Sequence, residues 1–220
     1  STLIESIISL NNEVKDLGEV NIFEEAFEEC RKSKQDLDIS ESYRKKIKNT
    51  NNQTAITTNK WLFNYQYAGI ISKTIPNAKI IHCYRNPLDN ILSIYRAHFS
   101  TGNTFSSSLT DCAYVYLDQE EIMNQYKKEF RSHIYDLNYD ELVTNPLKEI
   151  KSLINWLQWE WNDNYLSPHL NQRSVFTRSN VEIRSPINPK SLGGWKNYKD
   201  MLKPAIEILC KTERYKKLIS

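Results

Sequence analysis

The sequence predicts an α/β protein in three layers, with a parallel sheet between flanking helices. Apolar runs of strand length alternate with longer stretches of helical spacing; the clearest run is Lys79-Ile80-Ile81-His82-Cys83-Tyr84. That alternation builds a parallel sheet covered on both faces. Asn86-Pro87 and Asn145-Pro146 each place a capping side chain before a proline at the first helical position. Only 5 glycines occur in 220 residues, too few for the many tight turns of an all-β chain.

Ser1-Thr2 reads as an N-cap, followed by Leu3, Ile4, Ile7, Ile8 and Leu10 at helical spacing. An apolar helix opening at residue 1 implies that an upstream segment feeds into it. Asn21 to Lys34 reads as an amphipathic helix with Ile22, Phe23, Ala26, Phe27 and Cys30 on one face. Ser40 to Lys48 is a charged helix and Thr54 to Thr58 a short strand. Leu62 to Ser72 is an aromatic-rich helix, Ala78 to Tyr84 a buried strand, and Asn86-Pro87 starts a helix through Arg96. Ser108 opens a long helix to about Lys128, and His133 to Tyr139 is a second buried strand. Asn145-Pro146 starts a helix to about Trp156, and Pro204 starts a closing one. Ser167 to Gly194 has little periodicity, and a loop of that length inside a compact domain is usually functional.

The length fits a single domain spanning residues 1–220. A net charge of +2 is no polyanion-binding signature, so a basic site must be local and no nucleic-acid partner is expected. The four cysteines, Cys30, Cys83, Cys112 and Cys210, form no Cys-x-x-Cys pair. They read as reduced structural thiols of a cytoplasmic protein. No apolar run approaches the length of a membrane span, and no signal peptide is visible.

Ligands of a parallel α/β sheet bind beyond the carboxyl ends of its strands. That rule singles out residues following Thr58, Tyr84 and Leu137. Arg85 ends a strand and Ser93 lies two turns into the next helix; they fit a phosphate site, though taken alone they read sooner as a surface Arg and an ordinary helical Ser. The stretch Thr177-Arg178-Ser179-Asn180-Val181-Glu182-Ile183-Arg184-Ser185-Pro186, leading to Gly193-Gly194-Trp195-Lys196, mixes cations, hydroxyls and an aromatic as a nucleotide loop does. It fits a plain exposed loop as well. Glu19 follows Gly18 in a turn, and Lys60 follows a strand end. Each alone reads as a solvated surface charge.

Order and spacing say more than any one residue. Ser1-Thr2-Leu3-Ile4-Glu5-Ser6 resembles the end of the phosphate loop of sulfotransferases that use 3′-phosphoadenosine-5′-phosphosulfate (PAPS), where Arg-Ser-Gly-Ser/Thr-Thr runs into an apolar helix. Arg85 and Ser93 match that family's 3′-phosphate pair. Asn138-Tyr139-Asp140-Glu141-Leu142 resembles its Tyr-Glu-x-Leu segment. Ser179, Pro186 and Trp195 match its late nucleotide loop. The resemblance runs from Ser1 to about Ala205 and is nearest to bacterial sulfotransferases linked to tetratricopeptide repeats, then to tyrosylprotein sulfotransferases.

The resemblance implies a P-loop nucleoside triphosphate hydrolase-like sulfotransferase fold lacking its first strand and most of its phosphate loop. The edge so exposed predicts pairing with another chain, as in a homodimer. It implies Glu19 as catalytic base, with Lys60 and Ser179 stabilising the leaving oxygen. Ser1, Thr2, Arg85, Ser93, Tyr139, Asn180, Val181, Arg184, Pro186 and Trp195 would contact the nucleotide. The implied reaction moves a sulfuryl group from PAPS to a hydroxyl, or an amine, of an acceptor that could be a small molecule, glycan or peptide. Adenosine 3′,5′-bisphosphate is the product and no metal is needed. Departures from the pattern are Gly194, where tyrosylprotein sulfotransferases carry a basic residue, and Ala97, where they carry a second Arg. The alternative is a truncated, non-catalytic module that binds the bisphosphate or a protein partner. A kinase-like reading fails for want of a Gly-x-x-x-x-Gly-Lys-Ser/Thr loop.

Overall fold

The computed structural model describes residues 1–33, 39–48, 56–97, 102–171 and 184–219. Along the chain run α1 (Thr2–Ile8), β1 (Val14–Asp16), α2 (Ile22–Ser33), α3 (Ile39–Lys48) and β2 (Ile56–Thr58). They are followed by α4 (Ala68–Thr74), β3 (Ile80–Tyr84), α5 (Pro87–Tyr95), α6 (Leu109–Glu129) and β4 (Ile134–Asn138). The last elements are α7 (Tyr139–Thr144), α8 (Pro146–Leu157) and α9 (Lys203–Leu209). All strand pairing among the described residues is parallel. β1 pairs with β2 from Val14↔Ile56 to Asp16↔Thr58, and β3 with β4 from Ile80↔Ile134 to Tyr84↔Asn138. The parallel sheet is thus present as two separate pairs of strands.

The layering around β3 and β4 follows from the period-two alternation of a strand. Ile81, Cys83, Tyr135 and Leu137 face one way, onto Ile4, Ile7 and Ile8 of α1 and Ile150, Leu153 and Ile154 of α8. Ile80 and Ile134 face the other way, onto Ala68 of α4 and Met123 of α6. A third cluster joins Leu88, Ile91 and Leu92 of α5 to Cys112 and Ala113 of α6 and to Leu202, Ala205 and Leu209 around α9.

His82 and Asp136 interrupt the apolar face toward α6, and they are register partners across β3 and β4. His82 Nδ1 lies 3.0 Å from Asp136 Oδ1, and Gln119 Nε2 lies 2.8 Å from His82 Nε2. Lys127 donates to Asp136 Oδ1 at 3.1 Å and Arg131 to Oδ2 at 2.9 Å. Burial opposes the charge on Asp136, but His82, Lys127 and Arg131 outweigh it and hold the carboxyl well below its usual range.

The structure refines several sequence expectations. β1 was not foreseen: Val14-Lys15-Asp16 carries one apolar residue, too few to show a period. The aromatic helix expected over Leu62 to Ser72 divides into a 3₁₀ stretch, Leu62–Tyr67, and α4. Asn86 caps α5 as read, accepting from Leu88 and Asp89 N–H, whereas Asn145 and Ser1 make no side-chain cap bond. Residues 54–55 of the expected first strand lie outside the described residues.

Candidate active site

The carboxyl ends of the strands carry two constellations. The first sits on β1 and β2. Gly18, at φ 70°, turns the chain just beyond β1 in the left-handed region that glycine adopts without strain. The Lys60 N–H donates to Gly18 O at 2.9 Å, and the Leu17 N–H to Thr58 O at 3.0 Å. These bonds bring the residues after both strands together, 41 apart in sequence, so that Lys60 Nζ lies 2.7 Å from Glu19 Oε1. The Lys60 side chain is only 8% exposed, while the Glu19 side chain is 47% exposed. A buried cation beside an accessible carboxylate can meet negative charge on one side and take a proton on the other.

The second constellation sits on β3 and β4. Each strand runs directly into a helix, and the two turns are stapled together. Asn138 accepts from the Asp140 N–H at 2.9 Å, and Asp140 Oδ2 accepts from the Asn86 N–H at 2.8 Å. Arg85 therefore emerges beside Tyr139, its guanidinium 5.8 Å from the ring centre. It also donates to the Asp89 carbonyl. Tyr139 Oη lies 3.1 Å from Ser191 Oγ, which brings the late loop to the same place. A guanidinium with two hydroxyls is a donor set that fits a phosphate.

A residue that sequence reasoning missed fixes this loop. Asp89 is buried, and its carboxylate accepts from the Gly193 N–H at 2.7 Å and the Trp195 N–H at 2.9 Å. Gly193 takes φ 69°, and the Trp195 ring packs against the α5–α6–α9 cluster. The only sequence signal was an Asp at the third helical position after Asn-Pro, which reads as an ordinary first-turn acid.

The other expected residues are placed as follows. Ser93 is exposed two turns along α5, and no hydrogen bond joins it to Arg85 or Tyr139. Ser1 caps α1 with its backbone. Its carbonyl accepts from the Glu5 N–H at 3.0 Å. Thr2 is buried, and its carbonyl accepts from Ser6 Oγ at 3.0 Å. Arg184 donates to the Asn171 carbonyl at 2.8 Å, and Asn171 in turn donates to Ser6 O at the end of α1. Pro186 is exposed. Ser179, Asn180 and Val181 lie outside the described residues. Among the described residues no helix is long and apolar enough to cross a membrane.

At their carboxyl ends the two parallel strand pairs thus gather a lysine–carboxylate contact and a guanidinium close to two hydroxyls. Residues 8–163 match the sequence profile of the sulfotransferase family, and the chain belongs to that family. An uncharacterized protein of Aquifex aeolicus (strain VF5) is 34% identical over 158 residues. That match takes in 70% of this chain and 20% of the relative, so the chain spans about a fifth of that protein's length. Among solved structures, the sulfotransferase domain from the curacin biosynthetic pathway aligns with a TM-score of 0.45 at 12% identity, over 79% of this chain and 64% of that one.

Proposed function

We propose that the chain forms a single domain that transfers a sulfuryl group from PAPS to a hydroxyl of an acceptor. The carrying observation is the meeting of Lys60 and Glu19 at 2.7 Å across 41 residues of sequence, on adjacent strand ends. A pair of unrelated surface charges has no reason to be held so by backbone bonds on both sides. The donor, when bound, supplies the activated sulfuryl group. Glu19 takes the proton of the acceptor hydroxyl as its oxygen bonds to sulfur. The bond from sulfur to the phosphate oxygen breaks, and Lys60 meets the negative charge left on that oxygen. The resemblance would give Ser179 the task of adding a hydroxyl to the same oxygen.

Arg85, Tyr139 and Ser191 hold the 3′-phosphate, and the Trp195 segment, anchored by Asp89, closes the nucleotide side. The donor set supports this reading, because a guanidinium flanked by hydroxyls recognises a phosphate dianion better than a neutral ring. Calorimetry with adenosine 3′,5′-bisphosphate tests the donor, with micromolar or tighter binding expected. Release of inorganic sulfate from PAPS, with water as acceptor, tests the chemistry. Binding of the bisphosphate without any sulfate release would favour a non-catalytic nucleotide-binding module. Absence of binding would overturn the proposal.

A further inference from the structure

We propose that Glu5, on α1, is the positioning residue for Lys60; the inference rests on the reading of Lys60 as the group that meets the leaving oxygen. Lys60 Nζ stands between two carboxylates, Glu19 Oε1 at 2.7 Å and Glu5 Oε2 at 3.9 Å. Distance alone gives Glu19 the stronger hold, but burial reverses the order. Glu5 is 3% exposed, against 47% for Glu19. An exposed pair is screened by water and salt, whereas a pair this deep is screened little, and losing one partner strands the other charge.

Glu5 also holds the strand from which Lys60 emerges. Its Oε1 accepts from Thr58 Oγ1 at 2.9 Å, and Thr58 is the last residue of β2. The same carboxylate therefore faces both the strand end and the side chain two residues beyond it. Glu5 cannot follow a moving partner, because Ile4, Ile7 and Ile8 fix α1 against β4 and α8. The two acids thus divide the work. Glu19 must leave Lys60 to take the acceptor's proton, and Glu5 stays behind to keep the ammonium aimed. Glu5 does not touch substrate; it acts through Lys60.

The test is a double-mutant cycle on the full chain, read by sulfate release from PAPS with water as acceptor. Calorimetry with adenosine 3′,5′-bisphosphate accompanies it, and so does acetic anhydride labelling of Lys60 read by mass spectrometry. Glu5→Gln keeps the shape and an acceptor for Thr58 but removes the charge. We expect it to lower kcat roughly 10- to 100-fold, to leave bisphosphate affinity within about twofold, and to raise Lys60 labelling severalfold. Glu5→Asp should restore part of the rate. In a Lys60→Ala background Glu5→Gln should cost nothing further. An equal loss in both backgrounds would make Glu5 merely structural and overturn the inference. If Lys60→Ala leaves sulfate release unchanged, the role given to Lys60 falls and that of Glu5 with it. Should Glu5→Gln fail to fold, Thr58→Val reports instead. It removes one bond to Glu5 and should give the same non-additive pattern more weakly; additivity there overturns the inference too.

Discussion

The two strand pairs are tied at their ends in different ways. β3 and β4 run in register for five residues, and their ends are tied by part-buried neutral and charge-assisted bonds. β1 and β2 pair over three residues and end in an ion pair whose carboxylate is half in water. The first arrangement suits a rigid anion holder, where each donor must wait in place. The second suits chemistry, where a carboxylate must change partners within a turnover. In the proposed function, preorganisation would serve the phosphate at one end and the accessible acid the proton at the other.

The largest effects should separate these halves. Glu19→Gln is expected to lower the rate of sulfate release by roughly 10²–10⁴-fold, the range for losing a general base, while bisphosphate affinity holds. The reverse pattern, weakened binding at an unchanged rate, would make the β1–β2 end a binding site and erase the contrast. Next in size is Arg85→Ala. Losing a charge-assisted contact to phosphate should cost about 2–4 kcal/mol, roughly 30- to 900-fold in Kd. Calorimetry that finds the affinity unchanged would move the phosphate site elsewhere.

Asp89→Asn sharpens the comparison. The amide can accept one of the two N–H bonds from Gly193 and Trp195 but turns its NH₂ against the other. We expect roughly a tenfold loss of nucleotide affinity and about 1–3 kcal/mol of stability in denaturant titrations. Wild-type affinity would mean that the loop is held without Asp89.

The smallest effect on function should come from Asp136, beneath the site. Its carboxyl sits below its ordinary pKa of 3.8 in the folded protein. The stability it contributes is therefore present in full above about pH 4 and lost as pH falls toward the folded value. Asp136→Asn should cost about 1–2 kcal/mol at pH 7, with the gap to wild type closing in acid and nucleotide affinity unchanged. A gap that is constant from pH 7 to pH 3 would count against the network.

Legibility in the sequence followed the same divide. β3, β4, α5 and α6 were readable because apolar runs met strong punctuation, Asn86-Pro87 after one strand and Ser108 before the long helix. β1 was not readable, since three residues with one apolar side chain leave no pattern, and its identity comes from pairing with β2. Glu19, Lys60, Arg85 and Tyr139 were singled out as candidates by a resemblance in order and spacing to the sulfotransferases. Their pairing was not legible, because it depends on backbone bonds such as Lys60 N–H to Gly18 O. Asp89 and Glu5 were invisible for a shared reason. An acid in the first turn of a helix is common, and only tertiary contact shows that these two point inward.

The Asp89 clamp also bears on how the site comes into being during synthesis. Its bonds to Gly193 and Trp195 span 104 and 106 residues, against 41 for Glu19 with Lys60. At equilibrium the longer closure costs only about 0.8 kcal/mol more by the logarithmic law for loops. In time the difference is larger, because a ribosome adds roughly 5–20 residues each second. The Glu19–Lys60 pair can form once β2 has emerged, while the loop that Asp89 clamps must wait for residues 193–195. A nascent chain stalled after α8 should thus hold Glu19 against Lys60 and yet leave Asp89 without its loop.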